Sequence, residues 1–261
     1  MTNPIPVHSA LERYRVAAAE LPVSTRLAGD GGGAIVAVGG GDGWCDATVR
    51  AFGEGAAAVV VSRPVSAPAQ GLAAVHAAAA GRPVVIERPL LRADIAQLVV
   101  AAGTELSPPA ALVGECHAPA LALPSALRDA LGWARIMGRS PLVLRSPEAT
   151  RAGGIALLET SAGTPVSLVF ATQPGAPERG RLRLTALGPT LQELDGDEAD
   201  LQFTMTDAAS RSTASPRFER AERVALRRAA AALVDGGRPS DLDDLALDAT
   251  LAAALGAASV L

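Results

Sequence analysis

The sequence predicts an α/β domain built on a parallel sheet, followed by an α+β domain with a mostly antiparallel open sheet. Residues 34–38, 58–62 and 83–86 are apolar runs without polar alternation. Helical stretches of about ten residues separate them, the signature of a parallel sheet covered on both faces. Beyond residue 138 the texture changes to short strand candidates joined by turns such as Ser161-Ala162-Gly163 and Gly188-Pro189, which indicates antiparallel pairing. The chain has 261 residues, 49% of them hydrophobic, and a globular chain of that size buries roughly three quarters of its unfolded surface.

In chain order, residues 9–21 read as a helix and the glycine run 29–33 breaks it. Residues 34–38 form a buried strand, 39–43 a glycine loop and 46–52 a short helix. Strand 58–62 ends at Arg63-Pro64, helix 70–80 stops at Gly81, and strand 83–86 follows. Helix 92–102 closes at Gly103, and Ala111-Leu112-Val113 starts a fourth strand of the same sheet. After a helix over 125–137, strands are expected at 141–145, 155–160, 166–172, 181–187, 190–194 and 201–206. Two helices end the chain. In the first, Phe218, Ala221, Ala225, Ala229, Ala232 and Leu233 share a face, with Arg220, Arg223, Arg227 and Arg228 outside it. The second starts after Pro239-Ser240. The change of texture places the boundary near residue 120, giving domains 1–120 and 121–261.

Composition removes several function classes. All 23 basic residues are arginine. Without lysine there is no Schiff-base chemistry, no P-loop lysine and no lysine general acid. A net charge of −4 gives no electrostatic reason for nucleic acid or an anionic membrane as partner. Cys45 and Cys116 are too few for a disulfide framework or a Cys-rich zinc site. The first residues lack a basic flank before an apolar run, and Arg63, Pro64, Pro68 and Gln70 interrupt the Ala/Val stretch 56–80. No signal peptide or membrane helix is expected, so the expected location is cytoplasmic.

The run Val59-Val60-Val61-Ser62-Arg63-Pro64, a helix, and then Gly81-Arg82-Pro83-Val84-Val85-Ile86-Glu87-Arg88-Pro89-Leu90 resembles the Gfo/Idh/MocA family of NAD(P)-dependent sugar and inositol dehydrogenases. In that family a strand ending in a Thr-Pro-like pair precedes a Glu-Lys-Pro motif. Residues 111–117, the hairpin 155–170, the segment 182–193 and the two closing helices are similar to its C-terminal half. The resemblance covers about residues 34–261 and implies a Rossmann-like dinucleotide-binding domain, a ligand in the interdomain cleft and association through the open sheet face. A homodimer, or a heteromer with an intact family member, follows from it. Strands 166–170 and 182–187 would form that face if their outward residues are apolar.

The departures shape the functional expectation. The fingerprint G-x-G-x-x-G lets backbone approach a pyrophosphate at a helix N-terminus. Its counterpart here is Gly39-Gly40-Gly41-Asp42-Gly43-Trp44, with Trp44 where the third glycine stands and Asp42 beside the phosphates. The span 34–87 lacks about one βα unit of the usual ~30-residue repeat. The motif lysine is Arg88, whose guanidinium cannot relay a proton near neutral pH. It either hydrogen-bonds an anionic or carbonyl oxygen or pairs with a carboxylate. The family's His-x-x-Asp positions hold Arg128 and Leu131, and the neighbouring Asp129 reads as an exposed helix residue.

His117 follows Glu115 at the end of its strand, with Cys116 on the other face. His76 and His8 read as bland, and the arginines at 217, 220, 223, 227 and 228 as a solvated face. Asp241, Asp243, Asp244 and Asp248 read as dipole-favouring acids rather than metal ligands. The expectation is a degenerate family member, a partner subunit or small-molecule binder with no metal and with NAD(P) or no cofactor. The alternative is an active oxidoreductase on a sugar-like substrate. Arg88 would then polarise the substrate, His117 would move the proton, and Gly39, Gly41, Gly43, Ser62, Arg63, Pro64 and Glu87 would hold the cofactor.

Overall fold

The computed structural model describes residues 3–104, 106–150, 152–214 and 219–258, so Arg217 and Phe218 lie outside the described residues. The chain begins β1 (Ile5–Ser9), α1 (Glu12–Ala19), β2 (Thr25–Leu27), β3 (Ile35–Gly39), α2 (Trp44–Gly53), β4 (Ala58–Ser62), α3 (Ala69–Ala79) and β5 (Val84–Glu87). It continues α4 (Ala93–Gly103), β6 (Ala111–Ala118), α5 (Leu123–Gly138), β7 (Leu142–Thr150), β8 (Gly153–Thr160) and β9 (Pro165–Thr172). It ends β10 (Arg181–Leu187), β11 (Leu191–Asp197), β12 (Gln202–Thr206), β13 (Arg211–Thr213), α6 (Ala221–Asp235) and α7 (Asp241–Ala258).

Two compact units result, residues 1–88 with 218–246 and residues 89–217 with 247–261. The first unit thus ends at Arg88, ahead of residue 120, and is completed from the far end of the chain.

In the first unit five parallel strands are ordered β2-β1-β3-β4-β5. The strand order reverses between β1 and β3, which makes their carboxyl ends the switch point where such sheets place ligands. The α1 and α6 helices bury Tyr14, Ala17, Leu226 and Ala229 on one face, against Val7, Ile35, Val60 and Val85. On the other face α2, α3 and the start of α7 bury Trp44, Phe52, Val75 and Leu245 against Val59 and Val61. Arg82 fastens this layer: its guanidinium lies 4.4 Å from the Phe52 ring centroid and donates to the carbonyls of Ala56 and Ala79.

The second unit holds eight strands ordered β13-β12-β11-β10-β6-β9-β8-β7. Among the described residues of this sheet, only β6 and β9 run parallel. The α5 helix covers one face, burying Leu127, Leu131, Trp133 and Met137 against Leu112, Leu168 and Leu184. Asp248 of α7, fully buried, receives two hydrogen bonds from Arg135 of α5, at 3.0 and 3.2 Å.

Four sequence expectations change. The sequence predicts helix alone over residues 9–21, yet β1 and β2 flank a shorter α1. Pro6 and His8 broke the apolar run by which β1 is recognised, although Val7 and Ser9 point into the core. The unit missing from 34–87 therefore lies ahead of it. The strand beginning at Ala111 is not a fourth parallel strand of the first sheet. Its burial alternates, with Leu112, Gly114, Cys116 and Ala118 inward, and it pairs antiparallel with β10 and parallel with β9. The α6 helix, expected beyond residue 120 as part of the second domain, covers the parallel sheet. Asp129 is buried at 1% exposure rather than solvated.

No helix of the described residues is long and apolar enough to cross a membrane. Among the described residues no group of three or more His, Cys, Asp or Glu could hold a metal ion.

Candidate functional site

Parallel strands project their last residues to one edge of the sheet, and there the first unit gathers a cluster of polar side chains. Ser62 ends β4 in register with Gly39 of β3 and Glu87 of β5. Glu87 is 5% exposed, and a buried carboxylate requires partners. It has three. Ser62 Oγ donates to Oε2 at 2.6 Å, the Tyr14 hydroxyl donates to the same oxygen, and Arg63 Nε donates to Oε1 at 3.1 Å. Arg13 Nη2 donates to Ser62 Oγ at 2.8 Å, and its Nε lies 3.6 Å from Glu222. Burial, and then the Glu87 charge, push the Tyr14 phenol well above its ordinary value, so Tyr14 remains a donor throughout the neutral range.

Arg63 adopts φ +57°, a left-handed conformation costly for a residue with a Cβ. Its amide donates to the Glu87 carbonyl at 2.9 Å, so backbone and side chain are both tied to one residue. Pro64 follows and wedges against the glycine loop. A Cβ on Gly40 would meet Pro64 Cα at 2.4 Å, which makes glycine obligatory there. The loop is closed by Gly40 N to Ser62 O and Val65 N to Gly40 O, both 2.7 Å. Trp44 is buried and its indole donates to the Val65 carbonyl at 3.2 Å. Gly39, Gly41, Asp42 and Gly43 are exposed, and Gly43 is left-handed at φ +76°.

Arg88 is buried at 6% exposure. In the second unit, Asp129 receives Arg128 Nε and Nη2 on Oδ1 at 3.2 and 3.1 Å and the Leu90 amide on Oδ2 at 3.1 Å. Trp133 closes the clamp, its indole donating to the Leu90 carbonyl at 2.6 Å. Burial, and then Asp129, push the Cys116 thiol up to about 12, which makes it an inert core group. His117 lies on the opposite face of β6 from Cys116, half-buried, 3.7 Å from the exposed Glu115 carboxylate.

The structure thus brings Gly39, Ser62, Arg63, Pro64 and Glu87 to one sheet edge, with Gly41 and Gly43 on the neighbouring turn. It adds Arg13 and Tyr14, which sequence reasoning missed because β1 went unrecognised and α1 had no edge to point to. His76, bland in the sequence, has its Nε2 3.0 Å from Asp243 and its Nδ1 3.1 Å from Arg238. The terminal aspartates hold protein groups: Asp241 binds Arg228 and the Ile86 amide, and Asp244 binds Ser240.

No model of a known family matches the chain, and no curated protein does. Solved structures do. KijD10, a 3-ketoreductase from Actinomadura kijaniata determined with NADP and TDP-benzene, superposes with a TM-score of 0.71 at 14% identity over 98% of both chains. The UDP-N-acetylglucosamine 3-dehydrogenase GnnA of Acidithiobacillus ferrooxidans gives 0.70 at 13% identity over 98% of this chain and 97% of its own. The aldose-aldose oxidoreductase of Caulobacter crescentus gives 0.69 at 16% identity over 98% and 89%. The chain therefore has the two-part fold of these sugar oxidoreductases.

Proposed function

We propose that this chain is a sugar-oxidoreductase fold that no longer transfers hydride, and that it serves as a small-molecule binder or a partner subunit of an intact homologue. The observation that supports the reading most is the state of the proton-handling positions. A guanidinium stands at Arg88, and α5 carries the buried Arg128–Asp129 pair, whose carboxylate is committed to the Leu90 amide. A general base must reach a substrate proton. Asp129 faces protein on both oxygens, and no histidine stands beside it on α5.

Ligand contact is assigned to the carboxyl-end residues of the first unit, Gly39, Gly41, Gly43, Arg63 and Pro64, with the buried Ser62 and Glu87 holding Arg13 and Arg63 in place behind them. Self-association is assigned to the open face of the second sheet. Ile155 pairs with Val169, and Leu157 with Ser167, which in turn pairs with Val113. These four aliphatics are exposed, and exposed apolar patches mark association surfaces.

The test is nicotinamide absorbance during incubation with NADH or NADPH and sugar nucleotides or polyols. The expected result is no hydride transfer. Turnover that disappears in Arg88→Ala, with the melting temperature held within a few degrees, would overturn the proposal and establish the alternative in which Arg88 polarises the substrate and His117 moves the proton.

A further inference from the structure

We infer that the first strand-to-helix turn of this chain does not seat a dinucleotide pyrophosphate, although doubly wound sheets put that group there. The seat requires a glycine-rich turn at the switch point, so that backbone amides approach the phosphates without side chains between. Here β1 ends at Ser9 and α1 begins at Glu12, leaving only Ala10 and Leu11 as the turn. Neither is glycine. The Leu11 amide is taken by Ser9 Oγ at 3.0 Å, and Ser9 Oγ in turn donates to the Ala37 carbonyl at 3.0 Å.

The space beside the turn is also used. Leu11 Cδ2 would lie 3.8 Å from a Cβ placed on Gly39, the last residue of β3. The sheet order puts β3 between β1 and β4, so Arg13 reaches across the end of β3 to make its bond with Ser62. The first α1 residue is the acidic, exposed Glu12, paired with Arg15. On the adjoining turn the exposed Asp42 adds a second negative charge. A pyrophosphate placed here would meet the Leu11 side chain and an amide already consumed, with the Glu12 carboxylate at the start of the helix.

This inference concerns the seat alone and is separate from turnover. Its test is calorimetric and fluorescence titration of the full chain with NADPH, in the wild type and in two surface variants. Ala10→Glu adds charge at the turn, and Glu12→Gln removes it, so one reports if the other fails to fold. The expected result is either no saturable binding up to millimolar NADPH or a Kd that neither variant changes by more than twofold. A wild type that binds NADPH one to one, with Kd raised tenfold or more by Ala10→Glu or lowered severalfold by Glu12→Gln, overturns the inference. NADPH bound through this turn without hydride transfer would overturn it and leave the proposed function intact.

Discussion

Ser62 Oγ donates a 2.6 Å hydrogen bond to Glu87 Oε2, joining the last residues of two neighbouring parallel strands. Arg13 donates to the same hydroxyl, and Tyr14 to the same carboxylate oxygen. With Arg63 on its other oxygen, one buried carboxylate therefore holds three donors directly and Arg13 through Ser62, at the edge of the sheet where ligands are bound in such folds.

Tyr14→Phe removes one of the three partners of Glu87 while keeping the ring in the core. A hydrogen bond to a charged group contributes about 1.5–3 kcal/mol, and the variant is expected to lose that much in urea unfolding. The pH dependence has a definite sign. Because the folded-state phenol titrates above its unfolded value, its contribution is complete below about pH 10 and is lost as pH rises through the raised value. The unfolding midpoint of the wild type should fall on that alkaline side, and Tyr14→Phe should flatten the fall. Equal slopes in both proteins would refute the assignment.

The pairing of Arg135 with Asp248 leads to the largest expected loss. Asp248 is fully buried and bonds the guanidinium through both oxygens. Removing one partner of a buried pair leaves the other charge unsatisfied, at a cost of about 3–5 kcal/mol. Asp248→Ala should show this in equilibrium unfolding, and Arg135→Met with Asp248→Leu should recover most of it. A double variant as unstable as the single one would mean that packing, not charge, carries the effect.

Most of the fold is legible in the sequence, because patterns of burial are legible. The apolar runs at β3, β4 and β5 are buried on both sides, and periodicity finds such strands readily. The β1 strand escapes because Pro6 and His8 sit on its less buried positions, and three-residue β2 is too short to show a period. The site was half legible. Glu87, Ser62, Arg63 and Pro64 sit at strand ends that the sequence marks, but Arg13 and Tyr14 reach them only through the β1/β3 crossing. That is a relation of topology, not of spacing. Asp129 misled for a similar reason: a charged helix residue reads as solvated until the backbone amide it caps, Leu90 N, is brought to it.

Glycine is required at position 40 and optional at position 41. A Cβ on Gly40 would lie 2.4 Å from Pro64 Cα, whereas one on Gly41 meets nothing within 4 Å. Backbone must shift in the first case, so Gly40→Ala should cost about 1–3 kcal/mol, as overpacking does. Gly41→Ala should stay within about 0.5 kcal/mol, as exposed substitutions do. Chemical denaturation of the two variants side by side checks the contrast, and near-equal losses would contradict the close approach of the loop to Pro64.

The open face of the second sheet gives the clearest test of assembly. Leu157 is 49% exposed and Val113 46%, each in register with Ser167 between them, while Ile155 and Val169 pair one step along the strands. These cross-strand neighbours cluster the four aliphatics around Ser167, with Glu115 and Glu148 at their edge. Toward β10 and β11 the same sheet turns polar, with Arg183 bonding Glu193 and Arg181 bonding Asp195. An apolar centre with a self-neutralised polar flank suits a second copy of the same surface, since a two-fold interface must be complementary to itself. Leu157→Arg sets a guanidinium in the apolar centre of each copy. Light scattering after gel filtration should show a dimer for the wild type and the 26.3 kDa chain for the variant. The variant's melting temperature should also become independent of protein concentration, because the monomer no longer draws stability from association. A wild type that is monomeric at every concentration tested, or a variant that stays dimeric, would remove this face from consideration.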